Sequence, residues 1–135
     1  MKECIFCDIA SKKLESIILY EDDFTLAFLE LFPSAPGHTL IILKKHGYSI
    51  LDYEEEELGK IMSTVKKIAD ALKKSLSCDS LTIGINHFEK RGVPHLHIHV
   101  IPRWINDKGG IIQSIVQNKN PHSKKEIAEK IKKAL

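Results

Sequence analysis

The stretch PHLHIHVIPR, residues 94–103, alternates three histidines with three aliphatic residues. Side chains of a strand point alternately to opposite faces, so this pattern predicts a strand with one apolar face and one histidine face. A half-buried strand needs only an ordinary polar face. Three imidazoles that follow one another at about 7 Å on the same face therefore indicate chemistry or a metal site. The three histidines are His95, His97 and His99.

Strand patterns also fill most of the first half of the chain. SIILYEDDFTLAFLEL predicts a hairpin that turns at residues 21–23, and HTLIILK and SLTIGIN predict two more strands. No helical pattern separates the first three strands, which favours an antiparallel sheet over a doubly wound parallel one. We therefore predict an α+β fold, a single domain over residues 1–135 with a five-stranded antiparallel sheet.

Two helices complete the predicted fold. A long central helix is expected to begin with a capping box of Asp52 and Glu55, and a C-terminal helix with Ser123 and Glu126. Apolar residues recur along the first helix at the spacing of one helical face. These residues are Leu58, Ile61, Met62, Val65, Ile68, Ala69, Leu72 and Leu76.

Composition excludes several classes of function. The 135 residues are 43% hydrophobic and carry a formal charge of +2 without an arginine-rich stripe, so nucleic acid is not an expected partner. No apolar run reaches the length of a membrane span, and no leader pattern opens the chain. We therefore expect a cytoplasmic protein with no membrane partner, in which three cysteines do not indicate a disulfide framework.

The histidine face suits nucleophilic catalysis at phosphorus. A neutral imidazole is a competent nucleophile at pH 7, and His97 is central and flanked by further polar groups. His99, His38 and Asn86 are the residues that could donate hydrogen bonds to a phosphate. The sequence contains neither a glycine-rich phosphate loop nor a serine nucleophile elbow.

A metal is the second chemistry that these residue types allow. Cys4 and Cys7 form a C-x-x-C half-site, and His46 and His95 are available as two further ligands. A closed Cys2His2 zinc site would be structural and would leave His97 free. Three alternatives stay open on residue types: a redox pair, two buried thiols, or a catalytic metal centre on the three histidines themselves.

Taken together, the motifs resemble the bacterial branch of the histidine triad (HIT) superfamily of nucleotide hydrolases and transferases. The blocks that carry the resemblance are CIFCDIA, YEDDFTLAFLELFPSAPGHTLIILKKH and HLHIHVIPR. They cover residues 3–104 and leave residues 105–135 as a C-terminal segment and helix. The resemblance implies a homodimer, a purine nucleotide substrate and a structural zinc ion.

The resemblance also implies roles for individual residues. His97 would form a nucleotidyl-histidine intermediate, and His99 and His38 would assist at the phosphate. The implied nucleotide-binding residues are Glu30 at the ribose, Asn86, Arg91 and His99. The implied zinc ligands are Cys4, Cys7, His46 and His95.

One loop departs from the family pattern. Between Asn86 and His95 the chain reads HFEKRGVP, which is shorter than usual and places Arg91 and Gly92 where relatives carry Gly-Gln and often a hydroxyl residue. Our hypothesis is that Arg91 replaces the missing donor with a charged hydrogen bond to phosphate.

These observations predict a hydrolase that cleaves adenosine phosphoramidates or dinucleoside polyphosphates at the α-phosphorus and releases a nucleoside monophosphate. A nucleotidyl transferase would share the first half of this reaction. The alternative from a different class is a nucleotide-binding regulatory protein with little turnover.

Overall fold

The computed structural model describes residues 3–118 and 121–135. Its five strands are β1 (Ile18–Glu21), β2 (Thr25–Leu29), β3 (Thr39–Leu43), β4 (Ser80–Gly84) and β5 (His97–Arg103). They form one sheet in the order β1-β2-β3-β5-β4, and every neighbouring pair is antiparallel. The predicted α+β fold with a five-stranded antiparallel sheet is confirmed.

Three helices accompany the sheet. They are α1 (Ile5–Ala10), α2 (Glu55–Leu76) and α3 (Lys124–Ala134), and short 3-10 turns occur at Ile50–Asp52 and Ile112–Ser114. The second and third match the two helices that the sequence predicts. Among the described residues, no helix is both long enough and apolar enough to cross a membrane.

The alternation along β5 divides its side chains between two apolar layers. Leu96, Ile98 and Val100 pack with the buried face of α2. On the opposite face Ile42 pairs across the sheet with His97, and Leu40 pairs with His99. Both aliphatic residues belong to the second core cluster, which α1 covers. The histidine face of β5 is therefore on the α1 side of the sheet, and α2 packs against the opposite side.

The start of α2 corrects one prediction. The capping box is formed by Glu54 and Glu57 rather than by Asp52 and Glu55. The carboxylate of Asp52 is already engaged, because it accepts hydrogen bonds from the backbone N–H groups of Tyr48 and Ser49 at 2.8 and 2.7 Å. The four successive glutamates allow the capping box at more than one position. Because the 3-10 turn at Ile50–Asp52 comes first, the helix begins later and uses Glu54 and Glu57.

Two further differences concern the helices. Met62, predicted in the apolar stripe of α2, is 53% exposed, because the eight stripe residues span a wider arc than the sheet covers. Helix α1 was not predicted, since six residues are too few to display a helical period. Its N-cap is Cys4, whose Sγ accepts a hydrogen bond from the backbone N–H of Cys7 at 3.4 Å.

Candidate functional site

A cavity of about 540 Å³ lies on the histidine face of the sheet. Its apolar lining comes mainly from α1, β2 and β3, and includes Phe6, Ile9, Leu14, Phe28 and Leu40. Its polar lining includes four of the predicted site residues, Glu30, Asn86, His97 and His99. The structure thus brings together residues from β5, from the loop after β2 and from the loop after β4.

The ring of His97 is held in one tautomer. Its Nδ1 lies 2.7 Å from the carbonyl oxygen of His95. A carbonyl oxygen can only accept, so this Nδ1 carries the proton and donates it. The lone pair of His97 is therefore on Nε2, the atom that a nucleophilic imidazole uses. The ring of Phe6 packs edge-on against it with centroids 5.0 Å apart.

A second chain of hydrogen bonds fixes the tautomers of His38 and His99. The backbone N–H of Ser34 donates to His38 Nδ1 at 3.0 Å, so the proton of His38 is on Nε2. That Nε2 lies 2.9 Å from His99 Nδ1 and donates to it. The proton of His99 is then on its own Nε2, which is buried and has no hydrogen-bond partner among the described residues.

The Nε2–H group of His99 is therefore available to donate a hydrogen bond to a bound ligand. A buried donor without an acceptor costs free energy, which an oxygen atom of a bound substrate would recover. Burial lowers the pKa of His99 to about 4, with the neighbouring His97 and His38 acting in the same direction. Burial also lowers the pKa of His38. Both rings are neutral at pH 7, as their hydrogen bonds require.

We expect stability to fall as the pH drops from about 6.5 toward 4, in part through His99. Below pH 6.5 His99 becomes protonated in the unfolded chain, whereas in the folded protein it stays neutral until about pH 4. Protonation therefore favours the unfolded state. Partial exposure of the ring reduces the contribution to about 1 kcal/mol between pH 7 and pH 5. Urea unfolding at both pH values should show a weaker pH dependence for His99→Asn than for the unmodified chain. An unaltered pH dependence of stability in His99→Asn would contradict the expectation.

Four sulfur and nitrogen atoms converge beside this cavity. Cys4 Sγ lies 3.4 Å from His95 Nδ1, and Cys7 Sγ lies 3.4 Å from His46 Nδ1 and 3.5 Å from His95 Nδ1. All four atoms lie within 4.8 Å of one another. Ordinary zinc–ligand bond lengths place sulfur and nitrogen about 3.5 Å apart in a tetrahedral site. The donor set and its spacing therefore fit a tetrahedral zinc ion.

The protonation of this cluster also suits a metal. His95 Nε2 donates to the carbonyl oxygen of Leu43 at 2.7 Å, which leaves the Nδ1 lone pair facing the two sulfurs. Burial lowers the pKa of His95 to about 4. Burial, followed by the contacts with Cys4, raises the pKa of the Cys7 thiol to about 11. A divalent cation would reverse that shift by stabilising the thiolates.

A smaller group of donors occurs at the cavity itself. Ligand atoms of Glu30, His38 and His99 lie within 4.8 Å of one another. The catalytic metal centre that the sequence left open was on His95, His97 and His99, of which only His99 belongs to this group. The hydrogen bond between His38 and His99 already occupies one nitrogen of each ring in the structure.

Some functional candidates were not visible in the sequence. Ser34, which sets the tautomer of His38, has no signal beyond its position in the loop before β3. Phe6, which contacts the ring of His97, is marked only by standing between the two cysteines of the C-x-x-C motif. Arg91, in contrast, was predicted at the site, but its side chain is exposed and the cavity is lined at this loop by Glu89, Gly92 and Val93.

Comparison with known proteins identifies relatives of the whole chain. The family model described as HIT domain matches residues 11–105. An uncharacterized HIT-like protein from Borreliella burgdorferi is 39% identical over 137 residues, covering 97% of both chains. A hypothetical histidine triad nucleotide-binding protein from Sulfolobus tokodaii has a TM-score of 0.70 and 32% identity, covering 96% of this chain and 87% of that one. A Zn-bound histidine triad family protein from Mycobacterium smegmatis has a TM-score of 0.74 and 28% identity, covering 98% of both.

Proposed function

This chain belongs to the HIT domain family, and from that premise we propose that it is a nucleotide hydrolase acting at the α-phosphorus. Its proposed substrates are adenosine phosphoramidates or dinucleoside polyphosphates, and its product is a nucleoside monophosphate. The observation that carries the proposal is the pair of fixed tautomers on one cavity wall. His97 offers a lone pair and His99 offers an unpartnered N–H.

The proposed reaction has two steps. His97 Nε2 attacks the α-phosphorus, forming a nitrogen–phosphorus bond while the bond to the leaving group breaks and the leaving group takes up a proton from solvent. Water then attacks the same phosphorus and gives up a proton to solvent as the nitrogen–phosphorus bond breaks, which releases the monophosphate and the free imidazole. The carbonyl of His95 accepts from His97 Nδ1–H and stabilises the positive ring, while His99 Nε2–H donates to a phosphate oxygen.

The lining of the cavity supports an orientation for the nucleotide. A base would pack on the apolar wall that includes Phe6 and Phe28, and the carboxylate of Glu30 would accept hydrogen bonds from the ribose hydroxyls. Asn86 lies on the other side of His97 and would donate its amide N–H to the phosphate. The neighbour from Sulfolobus tokodaii, described as a histidine triad nucleotide-binding protein, supports the nucleotide as ligand class.

The test of this proposal is release of AMP from adenosine phosphoramidate and from diadenosine polyphosphates by the purified protein. The alternative is a nucleotide-binding regulatory protein with little turnover. It is favoured by one observation, the exposed position of Arg91 away from the cavity lining. Binding of AMP without release from any substrate would support that alternative. A nucleotidyl transferase would instead release AMP slowly to water and faster to an added acceptor.

We further propose that Cys4, Cys7, His46 and His95 hold a structural zinc ion. Their spacing, the orientation of His95 and the closed set of four donors support it. The Zn-bound relative from Mycobacterium smegmatis supports zinc as the metal. The ion would fasten α1 to the segment that enters β5, with no part in the reaction itself.

A homodimer is the proposed assembly. Within the described part of the chain, strand β4 is at the edge of the sheet and pairs only with β5, and Ile83 and Ile85 are 40% and 38% exposed beside that open edge. An exposed apolar edge strand is a surface that a second copy can cover. Light scattering should give twice the mass of one chain, and Ile83→Lys combined with Ile85→Lys should reduce it to one. Met62→Lys, on the exposed side of α2, should have no effect; a monomeric unmodified chain would refute the proposal.

Arg91 remains a predicted phosphate contact. Because its side chain is exposed and outside the cavity lining, the contact requires the loop to move. If the loop brings its guanidinium to the phosphate when substrate binds, Arg91→Ala should lower kcat/KM about tenfold, the value of one charge-assisted hydrogen bond. Lys108→Ala, which removes an exposed cation outside the cavity lining, is the matched control. Unchanged turnover and affinity in Arg91→Ala would show that the contact does not form.

A further inference from the structure

The position of β5 divides the cavity into a nucleoside side and a leaving-group side. On one side of β5 lie β3, β2 and α1, which supply the apolar wall and Glu30. On the other side lies β4, one strand spacing of about 4.8 Å away. Gly84 of β4 pairs with His99, and Asn86 follows two residues later, toward His97. With the nucleoside on the first side and phosphorus at His97, the leaving group must extend toward the loop that follows β4.

That loop is fixed at two points. The side-chain hydroxyl of Tyr48 donates to the carbonyl oxygen of Glu89 at 3.1 Å, and the backbone N–H of Ile50 donates to His87 Nε2 at 3.0 Å. These bonds hold the ring of His87 and the backbone of Glu89 on either side of Phe88, whose φ of 59° turns the chain sharply. The loop therefore presents Glu89 from a defined position.

The carboxylate of Glu89 is placed over Gly92. A Cβ atom on Gly92 would lie 2.6 Å from Glu89 Oε2, so the carboxylate occupies the space that a side chain at residue 92 would take. Both residues line the same cavity as His97 and Asn86. The absence of a side chain at Gly92 leaves room for the exposed Glu89 carboxylate at this edge of the cavity.

Glu89 is the charge that this loop contributes to the cavity lining. Lys90 lines a neighbouring cavity beside Cys4 and His46, which Glu89 and Gly92 also line, but it does not line the cavity of His97. Arg91 lines neither cavity. No ion pair joins the Glu89 carboxylate to a cation within residues 3–118 and 121–135. The leaving-group side of the cavity is therefore bordered by a carboxylate that takes part in no ion pair of the described residues.

We propose that Glu89 selects the leaving group, so that adenylyl conjugates of cationic amines are preferred over conjugates whose leaving group is an anion such as a polyphosphate. The inference rests on the proposed function and narrows its substrate class to phosphoramidates of basic amines. A carboxylate accepts hydrogen bonds from a leaving N–H group and attracts a nearby ammonium, whereas it repels a phosphate chain.

Three phosphoramidates of adenosine 5′-monophosphate, alike in size, test this selection. Their amines are 2-aminoethylamine with a free ammonium, neutral propylamine, and glycine with a free carboxylate. The unmodified protein should show the highest kcat/KM for the ammonium conjugate and the lowest for the carboxylate. Glu89→Gln should reduce the ratio between these two about tenfold, and Glu89→Lys should invert it. The preference should also weaken at high salt, because the carboxylate is exposed to screening.

Lys90→Gln is the matched control, since it removes a charge from the same loop but not from this cavity, and its ratio should stay unchanged. Ratios that are unaltered in both Glu89 variants, while turnover continues, would overturn the selection by Glu89 and leave the hydrolase intact. Absence of turnover with all three conjugates would instead overturn the proposed function. In that case the dissociation constants of the same conjugates, measured by calorimetry, decide on Glu89: they should follow the same order and the same changes.

Discussion

Release of AMP by the His97→Ala variant is expected to fall about 10⁴-fold or more below that of the unmodified protein. The variant keeps the cavity, the His38–His99 pair and the nucleotide contacts, but it lacks the lone pair that attacks phosphorus. Water would have to replace it directly. The carbonyl oxygen of His95, which lies 2.7 Å from His97 Nδ1, would lose its hydrogen-bond donor, and it cannot itself attack phosphorus in place of the imidazole. AMP affinity should change little, so the loss should appear in kcat rather than in binding.

His122→Ala is the matched control for this substitution, because His122 is exposed in the segment before α3, outside the lining of the cavity. It should retain full activity. Rapid quenching of the unmodified protein with substrate should trap an adenylyl group on His97, which mass spectrometry would locate on the peptide that contains β5. Retention of more than a few per cent of activity in His97→Ala, or an adenylyl group on another residue, would contradict the proposed nucleophile.

His99 should give a graded result that separates its role from that of His97. His99→Asn removes one hydrogen-bond donor to the phosphate but leaves the nucleophile in place, so a loss of about 10²-fold in kcat is expected. The two effects differ because one group forms the bond and the other stabilises charge. His38 donates to His99 Nδ1, so in the proposed reaction it would act through His99 as a positioning residue.

The strands and the long helices could be predicted because their signals are local. Alternation along residues 95–100 fixes which side chains of β5 face each layer, and no distant information is needed. Helix α1 gave no such signal, since its six residues are stabilised by the Cys4 cap and by packing rather than by a period of their own. The frame of the capping box failed for a related reason: four successive glutamates satisfy the same local rule in more than one register.

The composition of the site was predicted from motifs and resemblance, whereas its chemistry depends on backbone atoms that a sequence does not display. The tautomers of His97, His95 and His38 are set by the carbonyls of His95 and Leu43 and by the N–H of Ser34. None of these groups depends on the identity of its side chain. The loop after β4 shows the same limit, because alignment with the family pattern suggested Arg91, while the backbone path brings Glu89 into the cavity lining.

Replacing Cys4 and Cys7 together with Ser is expected to remove one zinc ion per chain and to destabilise the fold by about 4 kcal/mol. For a chain of this length that corresponds to a fall in Tm of about 15 °C. Serine is a poor zinc ligand, and the ring of His95 would lose the partners of its Nδ1 while remaining buried. Elemental analysis and thermal unfolding measure the two effects.

Cys78→Ser is the matched control, because Cys78 is buried outside the cluster and its Sγ lies 3.9 Å from the carbonyl oxygen of Leu72. This variant should keep its zinc and lose far less stability than the double variant. Cys78→Ser should also keep its activity, whereas the double variant should lose activity. Loss of the cluster frees α1, which carries Phe6 against the ring of His97, so kcat should fall in the double variant even below its lowered Tm.

The zinc content of each variant also decides between the two donor groups of the structure. One ion per chain that disappears with both cysteines supports the closed Cys2His2 site. One ion that persists would contradict the proposed site and would point to Glu30, His38 and His99, the other group of converging donors among the described residues. Such an ion would compete with the hydrogen bond between the two rings and would recruit His99 as a ligand rather than as a donor to substrate. Chelation should therefore inhibit the enzyme slowly and with unfolding if zinc is structural, but at once and without unfolding if the metal is on the histidines.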